Sequence, residues 1–196
     1  LLPERRPVLV GVKRAILMAA LDVHVAVLPQ TPAEWVARCL SSVEAAASRA
    51  PFPVHVHVVD GVPGHVGKAR ERGYACGSAP FVTYVDDDDE VLPEGFAMLP
   101  LERNPAAVFT AEVIDNGRGR WVARRRHNLS VYRRDVLAGV DFAAWPYAID
   151  AHCRQVAGRH PDVIDLPEPA CIWRMRTDSP ARRLADSEEM ARALHG

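Results

Sequence analysis

Apolar and polar positions follow two different periods along the first half of the chain. Residues 23–28, 54–60 and 81–85 are rich in valine and other β-favouring residues, and each run predicts a strand. Between them, residues 31–50 carry apolar side chains at helical spacing, and residues 66–77 predict a shorter helix. Strands and helices in alternation are typical of a parallel sheet with right-handed crossovers. The first half therefore predicts an α/β fold.

The first helix has start and stop signals. Thr31 is the predicted N-cap, Pro32 takes the first helical position and Glu34 completes a capping box. Pro51 and Pro53 end the helix, because proline cannot continue its hydrogen-bond pattern.

The second half predicts shorter and more varied elements. They are a hairpin of strands 106–114 and 120–125, a turn and short helix over 92–101, helices over 130–140 and 146–158, short strands over 163–166 and 170–174, and a terminal helix over 187–195. No internal repeat or low-complexity linker divides the chain, so one main domain is expected.

Composition and charge narrow the class of protein. The 196 residues are 48% hydrophobic and 25% charged, as in ordinary soluble globular proteins. The net charge of −1 gives no overall field that would select a polyanion or a membrane surface. Four scattered cysteines without a C-x-x-C pair favour free thiols in a reducing compartment, so a cytoplasmic protein is expected. No apolar stretch reaches the roughly 18 to 20 residues of a membrane span, and residues 1–17 are interpreted as an extension ahead of Met18.

Four consecutive aspartates, residues 86–89, follow directly on the third predicted strand. Open α/β sheets bind ligands at the carboxyl ends of their strands. Adjacent carboxylates repel one another unless a positive charge lies between them, and Mg²⁺ or Mn²⁺ bridges such oxygen ligands to substrate phosphates. The run therefore predicts a metal–diphosphate site, and the alternative is a solvated acidic loop. If the strand continues, Asp86 and Asp88 point one way and Asp87 and Asp89 the other.

Residues 23–178 contain an ordered series of motifs: Cys39-Leu40-Ser41-Ser42-Val43, Asp60-Gly61, Ala69-Arg70 with Gly73, Tyr84-Val85-Asp86 followed by Asp88-Asp89 and Pro93, Leu129-Ser130-Val131-Tyr132-Arg133-Arg134, and an acidic helix at Asp150. This series resembles the family-2 glycosyltransferases of the GT-A fold. The resemblance implies an α/β fold with a central, mostly parallel sheet flanked by helices, in one domain over 18–180. Its donor-nucleotide half would cover 18–91 and its acceptor half 92–180, with a further helix over 181–196.

The resemblance also implies a reaction. Such enzymes move a sugar from a nucleotide-diphosphate sugar to an acceptor hydroxyl, with Mn²⁺ or Mg²⁺ as cofactor. The implied metal ligands are Asp86, Asp88 and Asp89, and the implied donor contacts are Asp60, Arg70, Asp86, Asp87, Arg174 and Arg176. Asp150 is the implied general base of an inverting transfer, with Asp141 as the second choice.

Each implied role has a structural alternative. Asp60 is also suited to cap a turn, Arg70 to pair with the aspartates as a surface cation, and Asp150 to complement a helix dipole. The sequence departs from the family at Ile149, where relatives usually carry a glutamate. It departs again within 172–179, where arginines stand in place of a histidine.

Two other functions fit parts of the sequence. A nucleotidyltransferase of the same fold usually has a glycine-rich loop after the first strand, but residues 28–33 contain no glycine. A non-catalytic module that binds sugar nucleotides is the other alternative, and only activity distinguishes it from an enzyme.

The segment from Arg118 to Arg134, in the implied acceptor half, contains seven arginines and no acidic residue. Such a cluster can contact the phosphates of nucleic acid or of an anionic lipid. A polyanionic acceptor is therefore one hypothesis, and a solvated strand face balanced by the aspartates is the other. The sequence leaves the acceptor and the oligomeric state open.

Overall fold

The structure, a computed structural model, describes residues 19–123 and 129–175. The predicted extension 1–17, the arginines at 124–126, Arg176 and the predicted helix within 181–196 lie outside the described residues. The helices and strands are β1 (Leu21–Val27), α1 (Ala33–Ala47), β2 (Val54–Asp60), α2 (Val66–Ala75), β3 (Phe81–Asp86), β4 (Glu90–Val91), β5 (Ala107–Asp115), β6 (Arg120–Ala123), β7 (Val131–Arg133), α3 (Ile149–Ala157) and β8 (Val163–Arg174). Short 3₁₀ helices cover Leu101–Arg103, Arg134–Leu137 and Phe142–Ala144.

The described strands form one sheet in the order β2-β1-β3-β7-β5-β8-β4, with β6 paired to β5. β2, β1 and β3 run parallel, as expected when a helix connects successive strands. β7 lies antiparallel between β3 and β5, whereas β8 is parallel to β5. The prediction of an α/β fold with a central, mostly parallel sheet flanked by helices is confirmed. The predicted hairpin is confirmed as β5 and β6.

Apolar side chains pack on both faces of this sheet. One cluster joins Leu21, Val23 and Val25 of β1 to Cys39 and Val43 of α1, and all five residues are fully buried. A second cluster packs β3 and β7 against α3 and the 3₁₀ helix before it. Two layers of helix around a central sheet therefore hold the carboxyl ends of β1 and β3 in fixed positions.

A buried ion pair near the amino end of β1 joins the first and second halves of the chain. The Asp22 side chain is fully buried, and the Arg134 guanidinium lies 2.5 Å from its carboxylate. Arg134 also donates to the Tyr74 carbonyl (2.6 Å), while Asp22 accepts from the Ala79 amide (2.8 Å). His57 Nε2 lies 3.0 Å from the other Asp22 oxygen. Polar groups of these five residues are thereby satisfied around one buried carboxylate.

The predicted capping box at the start of α1 is wrong. The helix begins at Ala33 with Pro32 in the N-cap position and no side-chain cap. The Thr31 amide donates to the Leu28 carbonyl, which places Thr31 in the turn that leaves β1. The Pro32 carbonyl then accepts from the Trp35 and Val36 amides at the start of the helix.

The helix predicted over 130–140 is also wrong. Residues Val131–Arg133 form β7, and a 3₁₀ helix follows over Arg134–Leu137. Val131 and Tyr132 are buried, and each has a strand partner in β5. Pairing with β3 on one side and with β5 on the other therefore decides the conformation of a segment too short for a local signal.

Other element boundaries differ by a few residues. The helix predicted from 146 begins at Ile149, after Ala148 in a left-handed conformation (φ 57°). Residues 92–101 form turns that lead into the 3₁₀ helix Leu101–Arg103. The two short strands predicted near the end form one strand, β8, whose register shifts opposite β5.

The sequence predicted free cysteines and no membrane-spanning segment. All four cysteines lie in the described ranges and are free thiols; three of them are buried. Within those same ranges, no helix combines the length and apolarity needed to cross a membrane.

Candidate active site

A cavity of about 260 Å³ opens at the carboxyl ends of β1 and β3. β1 and β2 supply its apolar side through Ala26 and Leu28 and the following Gly61 and Val62. The other lining residues are Gly64, Val66, Ala69, Arg70, Asp86, Asp87, Asp88 and Tyr147. This is the edge at which parallel α/β sheets bind ligands, and three of the four consecutive aspartates are present there.

The aspartate run divides into two buried and two more accessible side chains. β3 ends at Asp86, and the Asp89 amide donates to the Asp86 carbonyl to close a turn (3.0 Å). Asp87 is 2% exposed and accepts from the Leu28 amide (2.7 Å), so it fixes the end of β1. Asp89 is 1% exposed and accepts from the Arg174 amide (2.8 Å). Asp86 and Asp88 are half-buried, at the cavity.

The predicted trio of metal ligands does not come together as one cluster. Among the described residues, no group of three or more His, Cys, Asp or Glu side chains is arranged to hold a metal ion. Asp89 is not among the cavity residues; burial, and then the charges of Asp86 and Asp88, raise the pKa of its carboxyl. Mg²⁺ bound to a substrate phosphate needs only one or two protein carboxylates. Asp86 and Asp88 fit that smaller donor set, so cation binding stays a prediction.

Arg70, near the middle of α2, lies between two predicted functional acids. Its side chain is only 3% exposed; Nη2 lies 2.6 Å from Asp86 Oδ1, and Nε lies 3.3 Å from Asp150 Oδ1. The guanidinium also sits over the Tyr84 ring, 5.1 Å from its centroid. Burial acts to lower the pKa of Arg70, but Asp150 and Asp86 outweigh it and raise the pKa above its ordinary value. A permanent buried cation therefore connects the cavity to Asp150.

Asp150 lies in the first turn of α3, and its side chain is 21% exposed. Eighty residues separate it from Arg70 in sequence, yet both of its oxygens lie within 3.5 Å of the guanidinium. Asp141, the second choice for a base, caps the preceding 3₁₀ helix by accepting from the Ala144 amide (3.2 Å). The geometry thus favours Asp150 as the acid next to the cavity.

The segment before α3 is hydrogen-bonded to the start of α2. This contact was not predicted from the sequence. The Val66 amide donates to the Pro146 carbonyl (2.9 Å), and the Gly67 amide donates to the Trp145 carbonyl (3.2 Å). A Cβ at Gly67 would lie 2.2 Å from the Trp145 carbonyl oxygen, so only glycine allows this approach. The attachment places Tyr147 on the cavity wall. The one sequence signal was an aromatic-rich stretch just before Asp150.

The other predicted donor contacts lie further out. Asp60 is exposed at the end of β2, directly before Gly61 of the cavity, and its carbonyl accepts from Arg72 (3.0 Å). The Arg174 side chain contacts Glu90 (3.1 Å) and Asp115 (3.5 Å) and does not line the cavity.

The arginine-rich segment is largely paired with acids where the structure describes it. Arg120 lies 2.9 Å from Asp115, and Arg133 contacts Asp135 (2.8 Å) and Asp162 (3.1 Å). Arg134 is held by its buried carboxylate partner in β1. These pairs support the alternative in which acidic residues balance the cluster.

Comparison with known proteins identifies the fold through solved structures. No protein-family model and no curated protein matches the sequence. The fold is similar to the crystal structure of S. aureus TarS, with a TM-score of 0.60 and 16% identity over 80% of this chain and 37% of TarS. It is also similar to TarS 1–349 in complex with UDP (TM-score 0.59, 15% identity, 81% of this chain and 61% of that one). It is similar as well to TarS 1–349 in complex with UDP-GlcNAc, with a TM-score of 0.57 and 13% identity over 83% of this chain and 60% of that one.

These similarities show a glycosyltransferase fold of the GT-A type. The chain spans between 37% and 61% of the length of these structures. At such low identity the likeness establishes the architecture alone, and the chemistry has to be argued from the residues at the cavity.

Proposed function

We propose that this chain is a cation-dependent, inverting glycosyltransferase domain that uses a UDP-linked sugar as donor. The observation that carries the proposal is the shared contact of Arg70: one buried guanidinium holds both Asp86 of the cavity and Asp150. A transferase needs its donor site next to a base for the acceptor hydroxyl. The GT-A fold and the UDP complexes of the TarS structures support the choice of donor.

The charges at the cavity support the need for a cation. Its described lining contains three carboxylates and one guanidinium, so an anionic diphosphate would be repelled there. The start of α2 offers little compensation, because the Val66 and Gly67 amides already donate to backbone carbonyls. Asp86 and Asp88 would hold Mn²⁺ or Mg²⁺ together with the diphosphate. When bound, that cation neutralises charge on the leaving nucleoside diphosphate.

Asp150 then accepts the proton of the attacking hydroxyl. Arg70 orients this base, because its guanidinium contacts both Asp150 oxygens and fixes their direction. A base on the far side of the donor sugar from the diphosphate leads to inversion at the anomeric carbon.

The test is turnover with a panel of nucleotide sugars. The purified chain, with Mn²⁺ and each donor in turn, is assayed for release of nucleoside diphosphate with and without candidate acceptors. The proposal expects UDP release from at least one UDP-sugar, abolished by a chelator. Binding of the panel without any turnover would favour the non-catalytic module, and release of pyrophosphate from UTP and a sugar phosphate would favour a nucleotidyltransferase.

A further inference from the structure

We infer that Tyr147, from the second half of the chain, determines donor affinity by stacking on the nucleoside of the bound donor. This inference rests on the proposed function, because it assigns a contact to the same cavity. The inference goes beyond the proposed function because it names the part of the donor that is recognised and the residue that recognises this part.

The cavity has an apolar side near β1 and β2 and an acidic side near β3. β1 lies between β2 and β3. Ala26 of β1, Leu28 after β1 and Val62 after β2 supply the apolar residues, whereas Asp86 at the end of β3 and Asp87 and Asp88 after it supply the carboxylates. A nucleoside diphosphate has the same division, with a ring system at one end and charge at the other. The base therefore belongs on the β1–β2 side and the diphosphate beside the aspartates.

Tyr147 lines the cavity near the loop that follows β2. A Cβ at Gly64, in the loop after β2, would lie 3.9 Å from the Tyr147 hydroxyl. The phenol therefore reaches across the cavity mouth to the loop on the β2 side. Its backbone is held in place because the neighbouring Pro146 carbonyl accepts from the Val66 amide of α2.

The exposure of this ring indicates a ligand contact. Tyr147 is 66% exposed, the highest value among the large exposed hydrophobic residues of the described chain. A large aromatic on a well-anchored segment at a cavity mouth buries apolar area when a ligand lies against it, and a flat ligand covers the most of its face. A nucleobase has that shape, and base–aromatic stacking is a common source of affinity.

The same segment carries Asp150, three residues further on. A nucleobase stacked on Tyr147 therefore contacts the segment that positions the candidate catalytic carboxylate. Donor recognition and the placement of Asp150 are linked through residues 147–150.

Calorimetric titration of Tyr147→Ala with UDP and, separately, with inorganic pyrophosphate, both with Mn²⁺, tests the inference. We expect about tenfold weaker UDP binding, from the usual loss of a base–aromatic stack, and unchanged pyrophosphate binding. Tyr147→Phe keeps the ring and should recover most of the UDP affinity. Trp121→Ala is the matched control, since Trp121 is an exposed aromatic (38%) on β6.

Unchanged UDP affinity in Tyr147→Ala would overturn the inference while leaving the proposed function intact. Equal losses for UDP and pyrophosphate would overturn it too, because the effect would then lie at the diphosphate. If the wild type binds no nucleoside diphosphate at all, the proposed function fails and this inference fails with it.

Discussion

Arg70 is the residue on which the candidate site depends most. It is a nearly buried cation whose guanidinium contacts two carboxylates from distant parts of the chain. A buried charge of this kind is tolerated only while its partners are present, and removing one partner leaves the others uncompensated. Lysine is a poor substitute, because its single ammonium cannot present the planar fork that faces both acids.

Replacing Arg70 with methionine should therefore lower the free energy of unfolding by about 3 to 5 kcal/mol, because Asp86 and Asp150 would be left partly buried without a cation. Urea denaturation of the wild type and the variant measures the change. Arg103→Met is the control, since its side chain is 71% exposed and such surface pairs contribute little. Similar small losses in both variants would show that Arg70 is not the electrostatic centre of the site.

Asp150→Asn should lower kcat by about 10² to 10⁴, the usual contribution of a positioned base, while UDP affinity stays unchanged. The amide keeps the shape of the side chain but cannot accept the proton. Steady-state kinetics and calorimetry separate the two effects. Asp141→Asn is the matched control and should retain activity, because that side chain caps a 3₁₀ helix. Lost UDP affinity with intact kcat would make Asp150 a binding residue instead.

The contact between α2 and the segment before α3 is the element-scale feature that assembles the cavity. Gly67→Ala should destabilise the protein by about 1 to 3 kcal/mol through overpacking, because its Cβ would meet two backbone carbonyls at 2.1 and 2.2 Å. Thermal unfolding measures the loss. Gly139→Ala is the control, since a Cβ there has nothing within 4 Å. An unchanged melting temperature for Gly67→Ala would mean that the two elements are not tightly joined.

Elements with a local signal could be predicted from the sequence, and elements made by distant pairing could not. The valine-rich runs of β1, β2 and β3 and the position of the aspartates are local properties. β7 is only three residues long and is a strand because β3 and β5 flank it. At the site, Asp86 and Asp150 could be chosen from motifs. The shared contact of Arg70, the place of Tyr147 and the need for glycine at Gly67 all depend on residues far apart in sequence.

At the scale of the whole molecule, the Asp22–Arg134 pair joins the two halves of the chain. Burial alone would raise the pKa of Asp22, but hydrogen bonds from His57, the Ala79 amide and Arg134 outweigh it and lower the pKa below the ordinary value of 3.8. The ionised form therefore contributes stability that is present above the unfolded pKa and is lost as pH falls through the lower folded value.

Asp22→Asn should accordingly cost about 1 to 3 kcal/mol at neutral pH, and the difference from wild type should shrink as the pH falls below 3.8. Urea denaturation over a pH series from 7 to 3 checks this. Glu102→Gln, an acid whose side chain is 73% exposed, is the control and should follow the wild type. A constant difference across the series would remove Asp22 as the titrating group.

Melting temperature with UDP, measured with Mn²⁺ and then with a chelator, tests the central claim most directly. Binding to the native state alone at about 100 times Kd stabilises by about 2.7 kcal/mol, which corresponds to a rise of about 5 to 10 °C for a chain of this size. We predict that rise for the wild type with UDP and Mn²⁺ together, little change with UDP and chelator, and little change for Asp88→Asn in either condition. An equal rise with chelator, or an undiminished rise in Asp88→Asn, would contradict a cation-bridged diphosphate site at the end of β3.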